Sequence, residues 1–270
     1  MTSRPLESQT ALVTGASGGI GADLARELAS LGANLVVTAR SRDKLEALAA
    51  ELRERHGIRV TVFVADLATR DGPAELAAAV DGAGLVIDLL VNNAGLGTWA
   101  AFVDTPWDEV ERLIDLDLRA LTYLTHHFVR GMKDRRRGRI MNVAAFVALT
   151  PCPNFAVYAA AKSYVLSLTE ALDYELKKTG VRAFTTCPGG TRTNFSDAAG
   201  QRLKKVGQRS LMTSHEVARL SVKKMLRGRR TYIPGFLNVM SAWVVAMLPR
   251  TLRPGFMATA MGAGVEDPKA

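Results

Sequence analysis

Apolar runs of strand length recur along the chain at Thr10 to Thr14, Asn34 to Thr38, Val60 to Ala65, Ile87 to Asn92, Arg139 to Val143, Val181 to Cys187 and Thr231 to Pro234. Patterns of helical period fill the intervals. Ser41 stands as an N-cap before Leu45, Leu48, Ala49 and Leu52, which follow the i, i+3, i+4, i+7 rule of one buried helix face. Thr105 followed by Pro106 reads as an N-cap and a first helical position, and Thr213 with Glu216 as a capping box. Strands that are apolar on both faces and alternate with helices imply a parallel sheet covered on both sides, since each face needs an apolar cover and each parallel link a crossover. The predicted fold class is α/β, a doubly wound parallel sheet with helices on both faces. No internal repeat or linker interrupts the alternation, so 1–270 is predicted to be one domain, with an apolar C-terminal extension over 235–270.

Composition narrows the picture. The chain has 270 residues, 48% hydrophobic and 23% charged, enough for one sizeable core and too few for two large ones. Cys152 and Cys187 are the only cysteines, with no CxxC pair, and no histidine stands at ligand spacing; a disulfide framework and a structural zinc site are excluded and a reducing cytoplasm is expected. The start, MTSRPLESQT, has no apolar run and argues against a cleaved signal peptide. A net charge of +9 suits nucleic acid, anionic lipid or a phosphorylated cofactor. The densest basic run, Lys133 to Arg139, has no aromatic residue for base stacking and reads as a solvated loop, so no nucleic-acid partner is expected.

The chemistry begins where the first strand runs into TGASGGIG, Thr14 to Gly21, and then a helical stretch from Ala22 to Leu31. Such a turn lets backbone N–H groups approach a pyrophosphate at the positive end of a helix. Three further motifs follow: NNAG at Asn92 to Gly95, Y-x-x-x-K at Tyr158 and Lys162, and Pro188-Gly189 after the sixth strand. With these four motifs in this order, Thr10 to Pro234 resembles the short-chain dehydrogenase/reductase family. The resemblance implies a single Rossmann-type domain of about seven strands and NAD(P)-dependent hydride transfer to or from a carbonyl or alcohol. It also implies that Gly15, Ser17, Gly19, Ile20 and Gly21, then Asn93, Ala94 and Gly95, and finally Pro188, Gly189, Thr191 and Thr193 border the cofactor. Asp66-Leu67 matches the family position that contacts the adenine.

The Tyr158/Lys162 pair also makes sense without the family. Residues i and i+4 share a helix face, and a tyrosine that titrates near 10 needs a neighbouring positive charge to exchange protons near neutrality. The end of the second strand, VVTARSR, bears on the choice of cofactor. An acidic residue there would hydrogen-bond the ribose 2′-hydroxyl of NAD; Thr38 and Ala39 offer none, and Arg40 supplies a fork-shaped phosphate donor, so NADP is expected. Arg42 either adds to this or points to solvent.

Two positions depart from the family pattern. The serine that hydrogen-bonds the substrate carbonyl lies 13 residues before the tyrosine in the family, a position held here by Ala145; Ala144 offers no hydroxyl either, and Thr150 is further along the loop. The family asparagine after NNAG aligns with Asp117, whose carboxylate would partly cancel the charge of Lys162. Tyr158, Lys162 and Asp117 are the candidate catalytic residues. The leading expectation is an NADP-dependent oxidoreductase acting on a small-molecule carbonyl or alcohol, the alternative a cofactor-binding protein with impaired or non-redox activity. The FLNVMSAWVVAML segment is too short for the ~20 residues that span a bilayer. Three readings stay open for it: a lid on the core, a homo-oligomer interface, or a helix lying on a membrane surface.

Overall fold

Each predicted apolar run becomes a strand. The computed structural model describes residues 4–209 and 211–266. Strands β1 (Thr10–Thr14), β2 (Asn34–Ala39), β3 (Val60–Val64), β4 (Leu89–Asn92), β5 (Gly138–Val143), β6 (Val181–Thr186) and β9 (Thr231–Tyr232) form one parallel sheet in the order β3-β2-β1-β4-β5-β6-β9; β7 (Thr191–Arg192) and β8 (Met212–Thr213) form a small second ladder. Between them run α1 (Gly19–Ser30), α2 (Arg42–His56), α3 (Gly72–Gly82), α4 (Trp107–Ile114), α5 (Leu121–Asp134) and α6 (Ala156–Glu175). The short α7 (Phe195–Ala198) and α8 (Lys205–Arg209), then α9 (Ser214–Leu226), α10 (Phe236–Met247) and α11 (Arg253–Gly264), complete the chain. The result is a single α/β domain.

Period-2 alternation distributes each strand between two cores. Val13 and Val37, paired in register, face Leu24, Leu28 and Val222 on one side, whereas Leu12 and Val36 face Leu76, Leu124 and Ile140 on the other. Strand order reverses between β1 and β4, so the crevice at the carboxyl ends of these strands is the topological switch point where such sheets bind ligands.

Local signals hold with small shifts. Leu45, Leu48, Ala49 and Leu52 are the buried face of α2, and Thr213 with Glu216 makes the capping box in both directions. Thr105 does not cap α4: its hydroxyl donates to the Ala101 carbonyl at 3.1 Å, closing the preceding turn, and Pro106 becomes the N-cap. The basic run after α5 is mostly exposed, yet Arg137 pairs with the buried carboxylate of Asp88 at 2.9 Å. The apolar tail is two helices, with Val245, Met257 and Val265 packed into one cluster with Trp99, Ala145 and Tyr158. Among the described residues no helix is long and apolar enough to cross a membrane.

Candidate active site

The glycine turn is held against the end of β4 by two side chains. The Thr14 hydroxyl accepts the N–H groups of Asn93 and Ala94, each at 3.0 Å, and the Asn93 amide donates back to the carbonyls of Thr14 (2.9 Å) and Gly15 (3.3 Å). Both residues thereby fix the crevice that opens between β1 and β4. A Cβ at Gly21 would run into the Gly15 carbonyl, so only glycine lets α1 start this close to the strand. Across the crevice, a Cβ at Gly19 would meet the Thr193 methyl at 3.0 Å, which places the Pro188 to Thr193 segment directly over the turn. Thr193 accepts the Phe195 N–H at 3.2 Å, Thr191 donates to the Gly189 carbonyl at 3.0 Å, and the Pro188 carbonyl accepts from Phe146 N–H at 2.7 Å.

At the lip, Arg40 is exposed beyond β2 and forms no ion pair with a described residue. The Ala16 N–H donates to the Thr38 carbonyl, so the end of β2 lies against the glycine turn. Thr38 is fully buried and its hydroxyl has no partner among the described residues. Asp66 accepts from the Ala68 N–H at 3.0 Å, with Arg112 at 3.5 Å from its other oxygen, while Leu67 turns its side chain into the core. A glycine cradle at a helix start and the exposed guanidinium of Arg40 at the end of β2 form a donor set that fits the phosphates of a dinucleotide.

Tyr158, Lys162 and Asp117 meet at the same edge. Tyr158 and Lys162 sit one turn apart on α6, both buried, and Lys162 Nζ lies 5.5 Å from the Tyr158 ring centre. Lys162 is held at 2.8 Å by Asp117 Oδ2 and at 3.3 Å by the Val143 carbonyl, and Asp117 Oδ1 accepts the Leu96 N–H at 2.8 Å. Asp117 reaches this place from a π-helical turn, Asp115–Ala120, that joins α4 to α5; such an insertion re-aims a side chain inward. Gly95 is the wall of the pair: a Cβ there would meet Nζ at 3.0 Å and Asp117 Oδ2 at 3.2 Å. Burial raises the Asp117 carboxyl and the Lys162 charge opposes it. Tyr158 is held far above the ordinary range of a phenol, first by burial and then by the Asp117 charge.

Around Tyr158 the neighbours are apolar. Phe155 and Phe195 flank its ring at 4.7 Å and 5.4 Å, and Ala145 and Cys152 belong to the same cluster. The Thr150 hydroxyl is turned to the Pro151 carbonyl at 3.5 Å. Burial pushes the Cys152 thiol up to about 11, an unreactive neighbour. Beyond Thr193, Ser196, Asp197, Gln201, Leu203, Gln208 and Leu211 line an open cleft of about 440 Å³, while Phe195, Ala199 and Leu203 of the same loop pack in the Tyr158 cluster.

Motif spacing gives Thr14 no partner and does not mark the buried chain Asn92–Asn142–Thr169 that ties β4 and β5 to α6 through amide and hydroxyl bonds of 2.9 Å and 2.8 Å. Polar residues inside apolar strands were the available signal, since a buried amide needs partners.

The sequence model of the short chain dehydrogenase family matches residues 9–204. The 3-oxoacyl-(acyl-carrier-protein) reductase FabG of Rickettsia bellii (strain RML369-C) is 30% identical over 206 residues, covering 76% of this chain and 82% of that protein. Among solved structures, a short-chain dehydrogenase from Sphingobium yanoikuyae in complex with NADPH superposes with a TM-score of 0.79 at 30% identity, covering 89% of this chain and 96% of that one. A 7beta-hydroxysteroid dehydrogenase gives 0.85 at 26% identity, covering 95% and 99%.

Proposed function

The chain belongs to the short chain dehydrogenase family and is an oxidoreductase, and we propose that it reduces a ketone or aldehyde to the alcohol with NADPH. The observation that carries this reading is the buried Tyr158–Lys162–Asp117 group at the switch point of the sheet, against Gly95 of the dinucleotide crevice. A nicotinamide held in this crevice would supply a hydride for the carbonyl carbon. Tyr158 donates its phenolic proton to the carbonyl oxygen; a phenol held above its usual range is protonated at neutral pH and suited to this direction. Lys162 lies near enough to the ring to stabilise the phenolate left behind, and Asp117 and Val143 fix its position. Phe155 and Phe195 keep water from the reacting oxygen.

NADP is chosen over NAD on the unpaired Arg40 and the missing carboxylate at Thr38 and Ala39. The relative solved with NADPH supports the same choice. The two buried free thiols support a cytoplasmic location, and exposed Trp107, Tyr123 and Tyr164 support association with further copies. A second reading, cofactor binding with little or no redox turnover, rests on Ala145, which leaves one fewer donor for the developing oxyanion. Following NADPH absorbance against a panel of ketones and aldehydes decides between them: consumption with equimolar alcohol establishes the reductase, and tight NADPH binding without consumption leaves the second.

A further inference from the structure

From Val217 to Val265 the chain has no acidic residue and eight basic ones, so this stretch holds nearly all of the +9 net charge while the rest is close to neutral. In its middle, Thr231 to Pro249 carries no charge at all. Helix α10 occupies this gap and has two unlike faces. Its inner face closes the site: Val245 is buried in the Tyr158 cluster, and Asn238, hydrogen-bonded to the Pro234 carbonyl, sits against Gly189. Its outer face is bare. Phe236, Leu237, Met240, Trp243, Val244 and Met247, at i, i+1, i+4, i+7, i+8 and i+11, form one stripe, with Phe236 77% and Met247 80% exposed. Leu252 and Phe256 extend it past the helix end. Arg253 donates to the carbonyls of Leu248 (3.1 Å) and Ala246 (3.3 Å), which sets a guanidinium at the rim beside exposed Arg250.

The charge decides the occupant. A second copy would bring its own Arg250 and Arg253 against these, with no acidic residue from Val217 to Val265 to answer them, and like charges at an interface oppose pairing. An anionic bilayer satisfies both halves: apolar side chains enter the acyl boundary while arginines meet the headgroups. Twelve residues make a helix of about 18 Å, too short to cross about 30 Å of hydrocarbon, so it would lie in the plane. We infer that α10 is an in-plane anchor that docks the Tyr158 side of this domain on an anionic lipid surface.

The test is co-sedimentation of the full chain with vesicles of phosphatidylcholine alone and of a mixture rich in phosphatidylglycerol. Binding is expected to be at least roughly tenfold tighter on the anionic vesicles, to weaken in high salt, and to shift Trp243 emission to the blue. The triple variant Phe236→Ser, Trp243→Ser, Met247→Ser removes exposed side chains only, so it should keep its melting temperature and lose the binding. Wild-type protein left in the supernatant with both vesicles would overturn the inference, as would undiminished binding by the triple variant. A dimer that the triple variant dissolves, with no vesicle binding, would assign the face to a second copy instead.

Discussion

Lys162 Nζ and Asp117 Oδ2 stand 2.8 Å apart with both side chains buried, so the charge next to Tyr158 is a compensated pair rather than a free cation. The pair removes much of the field that would ease deprotonation of the phenol, and the Asp117 charge adds to burial in holding the proton on Tyr158. The arrangement favours proton donation over proton removal.

Replacing Asp117 by asparagine should therefore bring the Tyr158 pKa down, since one of the two causes that raise it is gone. The acid limb of the pH profile for alcohol oxidation, which reports formation of the phenolate, should move to lower pH. Profiles of kcat/KM for both proteins check the direction; an unmoved limb would remove Asp117 from the proton chemistry. Asp117→Ala, which strands the Lys162 charge, should cost about 3–5 kcal/mol in unfolding free energy.

Arg40→Ala should weaken NADPH binding and leave NADH binding as it was. A charge-assisted phosphate contact of about 1.5–3 kcal/mol corresponds to roughly ten- to a hundredfold in affinity. Calorimetric titration with both cofactors reads this out, and equal losses for the two would show that Arg40 does not meet the 2′-phosphate.

Ala145→Ser should raise kcat/KM on simple ketones, because one preorganised donor to a developing oxyanion is typically worth about 10²–10³ in rate. Tyr158→Phe should abolish turnover with NADPH affinity retained. A serine variant no faster than a brisk native enzyme would mean that another group already serves the oxyanion.

Two glycines of one turn should respond differently to alanine. A Cβ at Gly21 meets the Gly15 carbonyl and the Asn93 amide, whereas one at Gly18 meets nothing within 4 Å and its backbone is extended. Gly21→Ala should lower the melting temperature and NADPH affinity together; Gly18→Ala should leave stability within about 1 kcal/mol. Thermal unfolding with and without NADPH separates them.

Alkaline pH should destabilise the fold through the buried thiols. Burial, the larger cause, and the Glu170 charge lift Cys187 from 9.0 to about 12, and burial lifts Cys152 to about 11. Above about pH 9 the unfolded chain loses protons that the folded chain retains, so stability falls as pH rises. Cys187→Ala should show a shallower fall in melting temperature above pH 9 than the wild type, whatever its absolute stability.

Much was legible in the sequence because it is a local property. Leu12 and Val13 alternate between two cores by strand geometry alone, Leu45 to Leu52 mark a helix face by period, and the Thr213 box closes within one turn. The glycine turn, NNAG and Pro188-Gly189 likewise stand at strand ends that the apolar runs already located, and Tyr158 and Lys162 share a helix face by spacing alone. Contacts between distant segments were decided only by packing. Nothing in the spacing of Thr14 and Asn93 tells that each completes the other's hydrogen bonds, and the inward turn of Asp117 depends on a π-helical insertion that its neighbours do not announce. The same limit applies to the tail. Its uniform apolar composition does not distinguish Val245, which packs beside Tyr158, from Trp243, which faces outward; the orientation is set by where the body of the sheet lies, and a burial pattern can be read from sequence only when polar residues mark the opposite face.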